Sequence, residues 1–513
     1  QKTHSSEITI HTYYTNIILL YIKRSKCVGE KVMQSNEFNR ESMDKDNASK
    51  HLIIIGGGSA AFSAMNQAKS LGIKVTMIND GLPIGGTCVN VGCVPSKNLI
   101  RAAETLYKAN HNLFDGMRTT GRVNDFHAII EAKRKLVHDL RKQKYIDNIK
   151  ELDDFEYIEG YASLESPVSV KVADRIIEGS HILLCTGAHP LIPAIEGLND
   201  VNHLTNEEAF ELDALPGSII VLGGSYIALE IAQMFSRLGS KVTILQRSDR
   251  ILSTEQADLT DELDKYLTQE GMTIVTGNAI QSVSEENNVV TVHTQVNGKE
   301  EKFSAQKLIV ATGRKSNTAN MNLEAIGVAL EPNGAIKVNE YMQTSVPNIY
   351  AAGDVLGSHM FVYAAAYEAK LAIENAFTSV RKEADFKVLP WVIFTDPQVA
   401  GVGMDEVKAR TEGLNVDTAF LPLSNVPRAI ASNDTRGFIK LIRNTDTDTL
   451  VGARILAPEG SELLMEVALV MKFDIKVSEI KEMLHPFFTL SEGIKLAAIT
   501  FSKNVKNLSC CAT

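Results

Sequence analysis

Two stretches of the chain share one pattern of apolar and polar positions. In each, an unbroken apolar run is followed by glycines, an amphipathic segment and a second apolar run: "HLIIIGGGSAAFSAMNQAKSLGIKVTMIND" at 51–80 and "SIIVLGGSYIALEIAQMFSRLGSKVTILQRSDR" at 218–250. Short continuous apolar runs indicate strands buried on both faces of a parallel sheet, and the segment between them has helical periodicity. The pattern therefore predicts two strand–turn–helix–strand units.

The first unit has the glycine spacing of a dinucleotide-binding turn. Gly56 suits the tight turn, Gly58 lets a pyrophosphate approach the backbone, and Ala61 allows the helix to pack closely on the strand. The free N–H groups of the helix would face the phosphates. The second strand ends in Asn79-Asp80, with an asparagine where an acid is expected, so ribose binding is predicted for either Asp80 or Asn79.

The second unit repeats the spacing with a serine in place of the middle glycine: Gly223, Ser225 and Ala228. Its second strand ends in Gln246-Arg247, with Arg250 close behind. Arginines suit a 2′-phosphate, whereas an acid would hold a ribose 2′-hydroxyl. The pattern favours NADPH over NADH, and the alternative is that both are ordinary surface arginines.

Three shorter segments connect these units. "LLCTGAHP" at 183–190 and "IVATGRKSN" at 309–317 are predicted to be paired strand-and-turn crossings, and "IYAAGDV" at 349–355 places Gly353 and Asp354 after a strand. Asp354 is a candidate for binding ribityl hydroxyls. Two dinucleotide folds imply two dinucleotides, of which one can be a bound flavin and the other a diffusing nicotinamide.

The last part of the chain has a different pattern. "GFIKLIRNTDTDTLVGARIL" predicts a hairpin around Thr445–Thr449. "SELLMEVALVMKF" predicts an apolar helix with Met465, Leu469 and Met471 in the core. The predicted fold class is α/β, with two Rossmann-like dinucleotide-binding domains and a C-terminal α+β domain; the family resemblance described below implies that the first two bind FAD and NADPH and that the last mediates dimerisation. The predicted limits are 50–200 and 319–384 for the FAD domain, 201–318 for the NADPH domain and 385–513 for the dimerisation domain.

Composition and charge narrow the function classes. A chain of 513 residues, 44% of them hydrophobic, fits a globular protein of several domains. Its net charge of -10 argues against nucleic acid as a partner. Six cysteines are too few for a secreted disulfide scaffold, which favours a reducing compartment, the cytoplasm. Residues 1–49 contain an apolar stretch too short to span a membrane and are predicted to be a disordered or non-native leader, with an amphipathic anchor as the alternative.

Four of the six cysteines form two close pairs. In "GGTCVNVGCVPSK" at 85–97, four residues separate Cys88 from Cys93. Zinc usually takes four ligands at shorter spacings, and a structural disulfide is unusual in a reducing compartment. On a regular helix the two side chains would point about 140° apart, so a bridge needs a distorted turn, to which Gly92 and Pro95 are suited. Distorted bridges are easily reduced, which favours a redox couple over the other two interpretations.

The two turns, the cysteine segment, "ATGRK" and "YAAGD" together resemble the pyridine nucleotide–disulfide oxidoreductases, from about residue 51 to the C-terminus. The resemblance implies that Cys88 is the interchange thiol that meets the substrate. It also implies that Cys93 lies against the flavin as a charge-transfer thiolate.

Further roles follow from the same resemblance. Lys97 would lie near the flavin N5 with Glu230 as its partner, and Tyr226 would cover the nicotinamide pocket. The residues predicted to bind FAD or NADPH are Gly56, Gly58, Ala61, Asp80, Gly86, Thr87, Lys97, Thr186, Gly187, Gly223, Ser225, Ala228, Glu230, Gln246, Arg247, Arg250, Gly313, Gly353 and Asp354.

The segment "HPFFTLSEG" at 485–493 departs from the family members that exchange dithiols and disulfides. Phe487 occupies the position of their acid–base histidine, which a glutamate, here Glu492, would orient. Phenylalanine cannot transfer a proton. His485 lies two positions early and is either structural or a displaced base. The usual proton route to a disulfide substrate is therefore predicted to be missing.

A soft metal ion needs a dithiol but no such histidine, because thiolates select soft cations. "GIKLAAITFSKNVKNLSCCAT" at 493–513 resembles the tail of the family members that reduce Hg(II) to Hg(0) with NADPH. Cys510 and Cys511, about 3.8 Å apart at Cα, are expected to stay free thiols. The resemblance implies that this tail reaches the active site of the second subunit of a homodimer. There it would pass Hg(II), which arrives as a thiol complex, to Cys88 and Cys93, so all four cysteines are predicted metal ligands.

Two departures from that branch qualify the prediction. Its members usually carry a tyrosine at the position of Phe487, so the phenylalanine is expected to slow turnover. Many carry an N-terminal metal-trapping domain with a C-x-x-C motif, which is expected to be absent because no such motif precedes Cys88. The alternatives are a large-type thioredoxin reductase, a dihydrolipoamide dehydrogenase and a non-catalytic protein that sequesters metal.

Overall fold

The computed structural model describes residues 50–150 and 152–504. The predictions for the leader at 1–49 and for Cys510 and Cys511 lie outside these ranges.

The elements follow one another in three runs along the chain. The first contains β1 His51–Ile55, α1 Ser59–Ser70, β2 Lys74–Asn79, α2 Gly86–Asn90, α3 Cys93–Asn110, α4 Phe126–Arg141, a π-helix Lys142–Ile146, α5 Asp147–Ile149, β3 Phe155–Glu159, β4 Ala162–Ser166, β5 Ser169–Val172, β6 Arg175–Glu178, β7 His181–Leu184, β8 Ala188–Pro190 and a 3₁₀ turn Leu198–Asp200. The second contains β9 His203–Leu204, α6 Asn206–Ala209, β10 Ser218–Leu222, α7 Tyr226–Leu238, β11 Lys241–Leu245, α8 Ala257–Gln269, β12 Thr273–Val275, β13 Asn278–Glu286, β14 Val289–Val296, β15 Lys299–Ala305, β16 Lys307–Val310 and β17 Arg314–Ser316. The third contains α9 Leu323–Ile326, β18 Ile349–Ala351, 3₁₀ turn Asp354–Leu356, α10 Val362–Phe377, β19 Trp391–Ile393, β20 Gln398–Gly403, α11 Glu406–Thr411, β21 Val416–Pro422, 3₁₀ turn Leu423–Asn425, α12 Pro427–Ala431, β22 Phe438–Asn444, β23 Thr449–Ala457, α13 Gly460–Lys472, α14 Val477–Glu482 and α15 Glu492–Ile499.

Both predicted strand–turn–helix–strand units are present, each in a five-stranded parallel sheet. The strand orders are β18-β7-β1-β2-β3 and β12-β11-β10-β16-β9. The apolar runs form the inner strands β1 and β10, whose central residues are buried on both faces. Burial on both faces explains why these strands read as unbroken apolar runs rather than as alternating ones.

The first sheet is completed by a strand from the third run. β18 pairs in parallel with β7, so the chain returns to the first sheet after it has built the second. The predicted crossings also pair: β17 lies antiparallel to β8, with Lys315 opposite His189. This confirms the predicted fold, in which one dinucleotide-binding unit is inserted into the other, while the domain limits remain predictions.

The third run builds a five-stranded antiparallel sheet in the order β19-β20-β23-β22-β21. The predicted hairpin is confirmed, because β22 and β23 pair across residues 445–448. The predicted core of α13 is partly wrong. Met471 is 3% exposed, but Met465 and Leu469 are 54% and 52% exposed. Apolar spacing does not distinguish a face buried in the subunit from an apolar face on its surface.

Among residues 50–150 and 152–504, no helix has the length and apolar character needed to cross a membrane.

Candidate active site

The first glycine turn is shaped by two close backbone approaches. Gly56 has φ of +132°, and a Cβ there would lie 2.2 Å from the carbonyl oxygen of Cys185. On the other side, a Cβ on Gly86 would lie 2.7 Å from the Cα of Gly58. Neither position accepts a side chain, and the N-terminus of α1 follows directly. This is a turn that brings free backbone N–H groups to a pyrophosphate, as a bound dinucleotide requires.

A cavity of about 1410 Å³ extends from this turn. It passes both cysteines and reaches Tyr226 on the second unit. Its size and its glycine-lined end fit FAD. Predicted residues that line it are Gly56, Gly58, Asp80, Gly86, Thr87, Cys88, Cys93, Lys97, Thr186, Gly187, Tyr226, Glu230, Gly353 and Asp354. Ala61 does not line it but is fully buried, in line with the predicted helix–strand contact.

The residues at the end of β2 lie beside the turn in different ways. Asn79 packs against it, because a Cβ on Gly57 would lie 2.5 Å from the Asn79 side-chain oxygen, and its Nδ2 donates to the Leu82 carbonyl at 3.0 Å. Asp80 is exposed on the cavity wall. Both candidates for ribose binding therefore remain within reach of the cavity.

At the opposite wall, Asp354 begins the turn after β18. The Arg314 guanidinium lies 3.7 Å from its carboxylate, and burial raises the pKa of Asp354. The next helix contributes Glu368, whose Oε2 accepts a hydrogen bond from the Gly353 N–H at 2.7 Å. Burial raises the pKa of Glu368 to about 7, and the nearby charge of Asp354 acts in the same direction. The Gly353–Asp354 turn is thus held by a buried carboxyl group behind it.

The two cysteines lie on either side of a break between two helices. Cys88 belongs to α2 and Cys93 begins α3, and Val91 and Gly92 lie between the two helices. A Cβ on Gly92 would lie 2.9 Å from the Thr87 carbonyl oxygen, and the Asn206 amide donates to the Val91 carbonyl at 2.9 Å. The predicted distortion is present, and a contact from the second unit helps to hold it.

Both cysteines are free thiols, and each shifts the pKa of the other. The pKa of Cys93 falls to about 7, because the Cys88 thiol donates to its thiolate and the Lys97 ammonium lies nearby. The pKa of Cys88 is raised by the same hydrogen bond and by burial. Cys93 also begins an 18-residue helix, whose N-terminal dipole favours a thiolate. The pair therefore shares one proton near neutral pH, with Cys93 as the ionised partner.

The expected Lys97–Glu230 ion pair is present, at 2.7 Å between Nζ and Oε2. Lys97 comes from α3 and Glu230 from α7, so the pair joins the two dinucleotide-binding units. The other Glu230 oxygen accepts a hydrogen bond from the Phe394 N–H at 2.9 Å, and the Lys97 ammonium lies 4.7 Å from the centre of the Phe394 ring. This charged pair lines the same cavity as the two thiols and Tyr226.

The second glycine turn repeats the backbone approach of the first. Gly223 has φ of +116°, and a Cβ there would lie 2.3 Å from the Ala311 carbonyl oxygen. Ser225 precedes α7, and Ala228 is fully buried in it. The remaining predicted cofactor-binding residues lie outside the large cavity: Gln246, Arg247 and Arg250 follow β11, and Gly313 lies in the second crossing, between β16 and β17. Arg247 is exposed and therefore accessible to a phosphate.

Tyr226 is the first residue of α7. Its ring stacks on Trp391 and Phe361, with centroid distances of 5.7 and 6.3 Å. Burial raises the pKa of Tyr226 to about 12, so the phenol stays neutral. The ring lines the cavity and directly follows Ser225 of the second turn, and its place over a nicotinamide pocket stays a prediction.

Two predicted catalytic residues are not brought to the thiols within one chain. Phe487 is half-exposed and meets Phe488 edge-to-face, and Glu492 is buried with an Oε2 that has no hydrogen-bond partner. His485 has a 5% exposed side chain and lies 2.7 Å from Glu466. A glutamate contact occurs both in buried structural histidines and in oriented acid–base histidines, so both interpretations of His485 stay open.

Tyr145 was not predicted from the sequence. It lies on the π-helix after α4 and meets Phe62 edge-to-face, with ring centroids 4.8 Å apart. A Cβ on Gly85 would lie 3.3 Å from the Tyr145 ring, so the ring packs against the start of the cysteine segment, and burial raises its pKa, with the charges of Cys88 and Cys93 acting in the same direction. π-Helical turns often occur at functional sites, but "KQKYI" has no pattern that would identify one.

Two dinucleotide folds meeting at a cysteine pair define the class. The family model of pyridine nucleotide-disulphide oxidoreductases matches residues 50–369, and that of the family's dimerisation domain matches residues 389–498. FAD and NADPH, the predicted cofactors, are the cofactors of this class. The flavoprotein disulfide reductase RclA from Escherichia coli, solved as a Cu(II) complex, has the same fold. It is 29% identical, with a TM-score of 0.79 over 88% of this chain and 99% of that one.

Curated relatives narrow the class. The mercuric reductase of Staphylococcus aureus is 40% identical over 94% of this chain and 88% of its own length. That of Streptomyces lividans is 38% identical over 90% of this chain and 98% of its own length. The chain belongs to the mercuric reductases within the pyridine nucleotide–disulphide oxidoreductase family.

Proposed function

We propose that this protein reduces Hg(II) to Hg(0) with electrons from NADPH, through FAD and the Cys88–Cys93 pair. The observation that carries the proposal is the pair itself: two free thiols that line one cavity together with the first glycine turn and Tyr226. The mercuric reductases among its relatives support mercury as the substrate. Free thiols of this kind persist in a reducing compartment, which supports the cytoplasm as the location.

The chain's own residues prepare two sulfur ligands for the metal. Cys93 is ionised near neutral pH because Cys88 and Lys97 stabilise its thiolate. Cys88 holds the shared proton and releases it when a thiophilic cation arrives, since a metal–sulfur bond replaces the sulfur–hydrogen bond. Two thiolates are a favourable ligand set for a soft cation.

The electron balance closes without a further reactant. FAD, when bound, carries two electrons from the nicotinamide towards the thiol pair. NADPH and Hg(II) give NADP⁺, Hg(0) and one proton. Both mercury–sulfur bonds break as the metal takes up two electrons, and both sulfurs remain as thiolates.

Phe487, at the position of the acid–base histidine, supports a metal over a disulfide as the substrate. Thiol–disulfide exchange needs a group that protonates the leaving thiolate. Phe487 cannot do so, and His485 is buried against Glu466. Release of Hg(0) needs no such proton, because the thiolates stay in the site.

The active form is proposed to be a homodimer with a shared active site. The chain contains the family's dimerisation domain, and part of that region is an exposed apolar face. Its members include Met465, Leu469, Phe473, Leu484 and Phe487. The tail with Cys510 and Cys511 is proposed to deliver Hg(II) to the partner's thiols.

NADPH oxidation with Hg(II) and excess thiol tests the reaction. We expect oxidation that depends on Hg(II) and release of Hg(0) vapour, both lost in Cys88→Ala. A thioredoxin reductase would instead oxidise NADPH with a protein disulfide and show no Hg(II) dependence. That result would overturn the proposal in favour of the alternative.

A second experiment separates delivery from reduction. Replacing both Cys510 and Cys511 by alanine should lower single-turnover Hg(0) release from the bulky glutathione complex about 100-fold, because the complex cannot approach Cys88 directly. The small bromide complex should react at close to the wild-type rate. Equal losses with both complexes would show that the tail belongs to the reducing site.

A further inference from the structure

Trp391 is the only tryptophan of the 513 residues, and it lies behind Tyr226. Its indole is buried at the start of β19. The two rings are 5.7 Å apart at their centroids with planes 25° apart, so they are stacked. Any movement of the Tyr226 ring therefore changes the surroundings of this one indole.

The indole itself is fixed by the antiparallel sheet. Trp391 pairs with Gly401 on β20, where a Cβ would lie 2.4 Å from the indole ring. The absence of a side chain at Gly401 makes room for the ring. The Arg454 guanidinium lies 5.4 Å from the indole centroid, in cation–π range.

Arg454 reaches the same region by a second route. Its Nε donates to Glu255 Oε2 at 2.5 Å, and both side chains are buried. The Glu255 N–H donates to the Leu252 carbonyl, and the Leu252 N–H donates to the Gly224 carbonyl, both at 2.8 Å. Gly224 belongs to the second glycine turn. One arginine of the antiparallel sheet thus supports both the tyrosine and the turn.

We propose that Trp391 and Arg454 are positioning residues for NADPH binding, because they hold Tyr226 and the second glycine turn in place. The inference rests on the proposed function only in taking Tyr226 as the cover of the nicotinamide pocket. It assigns to the C-terminal region a role in NADPH affinity in addition to dimerisation.

The first test is optical and uses the purified wild-type flavoprotein. NADP⁺ is titrated while tryptophan emission, which comes from Trp391 alone, is recorded. We expect a saturable change in emission that is lost in Tyr226→Ala, with NADP⁺ binding followed independently by calorimetry. Binding with no change in emission, or an unchanged response in Tyr226→Ala, would overturn the inference.

The second test separates affinity from turnover. Trp391→Leu and Arg454→Met should each raise the Kd for NADP⁺ and the KM for NADPH by about two- to tenfold, the value of one aromatic pair, with kcat changed less. Trp391→Phe keeps a stacking ring and should restore most of the affinity. Unchanged Kd values in both Trp391→Leu and Arg454→Met would refute the proposal.

Phe420→Leu is the matched control. It removes another aromatic pair of the same sheet, with Phe438 at 4.5 Å, and should leave NADP⁺ binding unchanged. The FAD content shows whether each variant is folded. If the Trp391 variants lose FAD, the NADP⁺ titrations of the wild type and of Tyr226→Ala still test the proposal. These binding tests contain no mercury and are therefore independent of the proposed function. If NADP⁺ changes the emission but NADPH oxidation does not depend on Hg(II), the proposed function is refuted and the positioning role is not.

Discussion

The two glycine turns share one backbone geometry but have different surroundings. Gly56 and Gly223 each face a carbonyl oxygen of the strand end beside them, at 2.2 and 2.3 Å from a would-be Cβ. Around the first turn, Gly86 and the cysteine segment close over the nucleotide path. Around the second, Ser225 replaces the middle glycine and the exposed Arg247 lies at the edge. The strand packing fixes the turn, whereas the residues that cover it decide whether a dinucleotide is retained or exchanged.

The strongest way to test this comparison is to block one turn at a time. Gly56→Ala should give protein with little or no bound FAD, because the methyl group collides with the Cys185 carbonyl. Gly223→Ala should retain FAD but weaken NADP⁺ binding at least 100-fold. FAD absorbance and NADP⁺ calorimetry on both variants measure this, and each variant serves as the control for the other. Loss of both nucleotides in both variants would mean that the turns are not independent.

The visible absorption spectrum of the bound FAD should respond differently to replacement of Cys88 and to replacement of Cys93, and it should depend on pH. With FAD bound, the Cys93 thiolate should give a long-wavelength absorption band in Cys88→Ala without any reductant, and Cys93→Ala should lack it. Loss of the Cys88 hydrogen bond should also raise the Cys93 pKa above its value of about 7, so the band should grow at higher pH. A pH titration of the visible spectrum measures both. A normal oxidised spectrum in both variants at all pH values would contradict the assigned roles.

On the nicotinamide side, Arg247 should set the cofactor preference. We expect wild-type KM to be lower for NADPH than for NADH. Arg247→Glu should narrow this ratio by about tenfold or more, since a carboxylate repels the 2′-phosphate and can accept from a ribose hydroxyl. Arg250→Glu should have a smaller effect. Equal KM values for the two cofactors in the wild type would show that both arginines are ordinary surface residues.

Two single-hydroxyl substitutions, at Tyr145 and at Phe487, should change turnover by smaller amounts. Tyr145→Phe removes one hydroxyl from the ring that packs against Gly85 and should slow Hg(II)-dependent turnover by about tenfold, the loss of one hydrogen bond. Phe487→Tyr should raise turnover if the expected slowing by phenylalanine is correct. Steady-state rates with saturating NADPH measure both, and an unchanged rate in Tyr145→Phe would leave that phenol a packing role only.

The smallest effect on turnover is expected from Glu368. Its pKa in the folded protein, about 7, is above the value of 4.5 for a free side chain. The protonated group therefore stabilises the fold fully below about pH 4.5, and this contribution is lost as the pH rises through 7. Glu368→Gln should flatten the fall of the free energy of unfolding over this range while turnover changes less than twofold. Denaturant titrations at pH 5 and 8 would measure the slope, and equal slopes would contradict the assignment.

The sequence predicts those features that depend on residues close together along the chain. It fails where the contact of one surface with another determines the structure. Both turns, the β8–β17 crossing and the break between Cys88 and Cys93 follow from glycines and apolar runs at short range. Met465 and Leu469 were assigned to the core because their spacing marks an apolar face but not what covers it. Tyr145 was missed because a π-helical turn has no periodic signal. Phe487 does not line the cavity of the thiols within one chain, and its role there rests on the proposed homodimer.

Glu230 limits which segments of this chain can be exchanged with those of a relative. It lies on the nicotinamide unit, yet its two oxygens are bound by Lys97 of the flavin unit and by the backbone N–H of Phe394 in the antiparallel sheet. The three parts are therefore not interchangeable modules. A chimera that imports a foreign nicotinamide unit without a glutamate at this position would leave a lysine ammonium and a backbone N–H without their acceptor at the centre of the molecule. Recombination among relatives is expected to succeed only where the exchanged segment carries that single carboxylate.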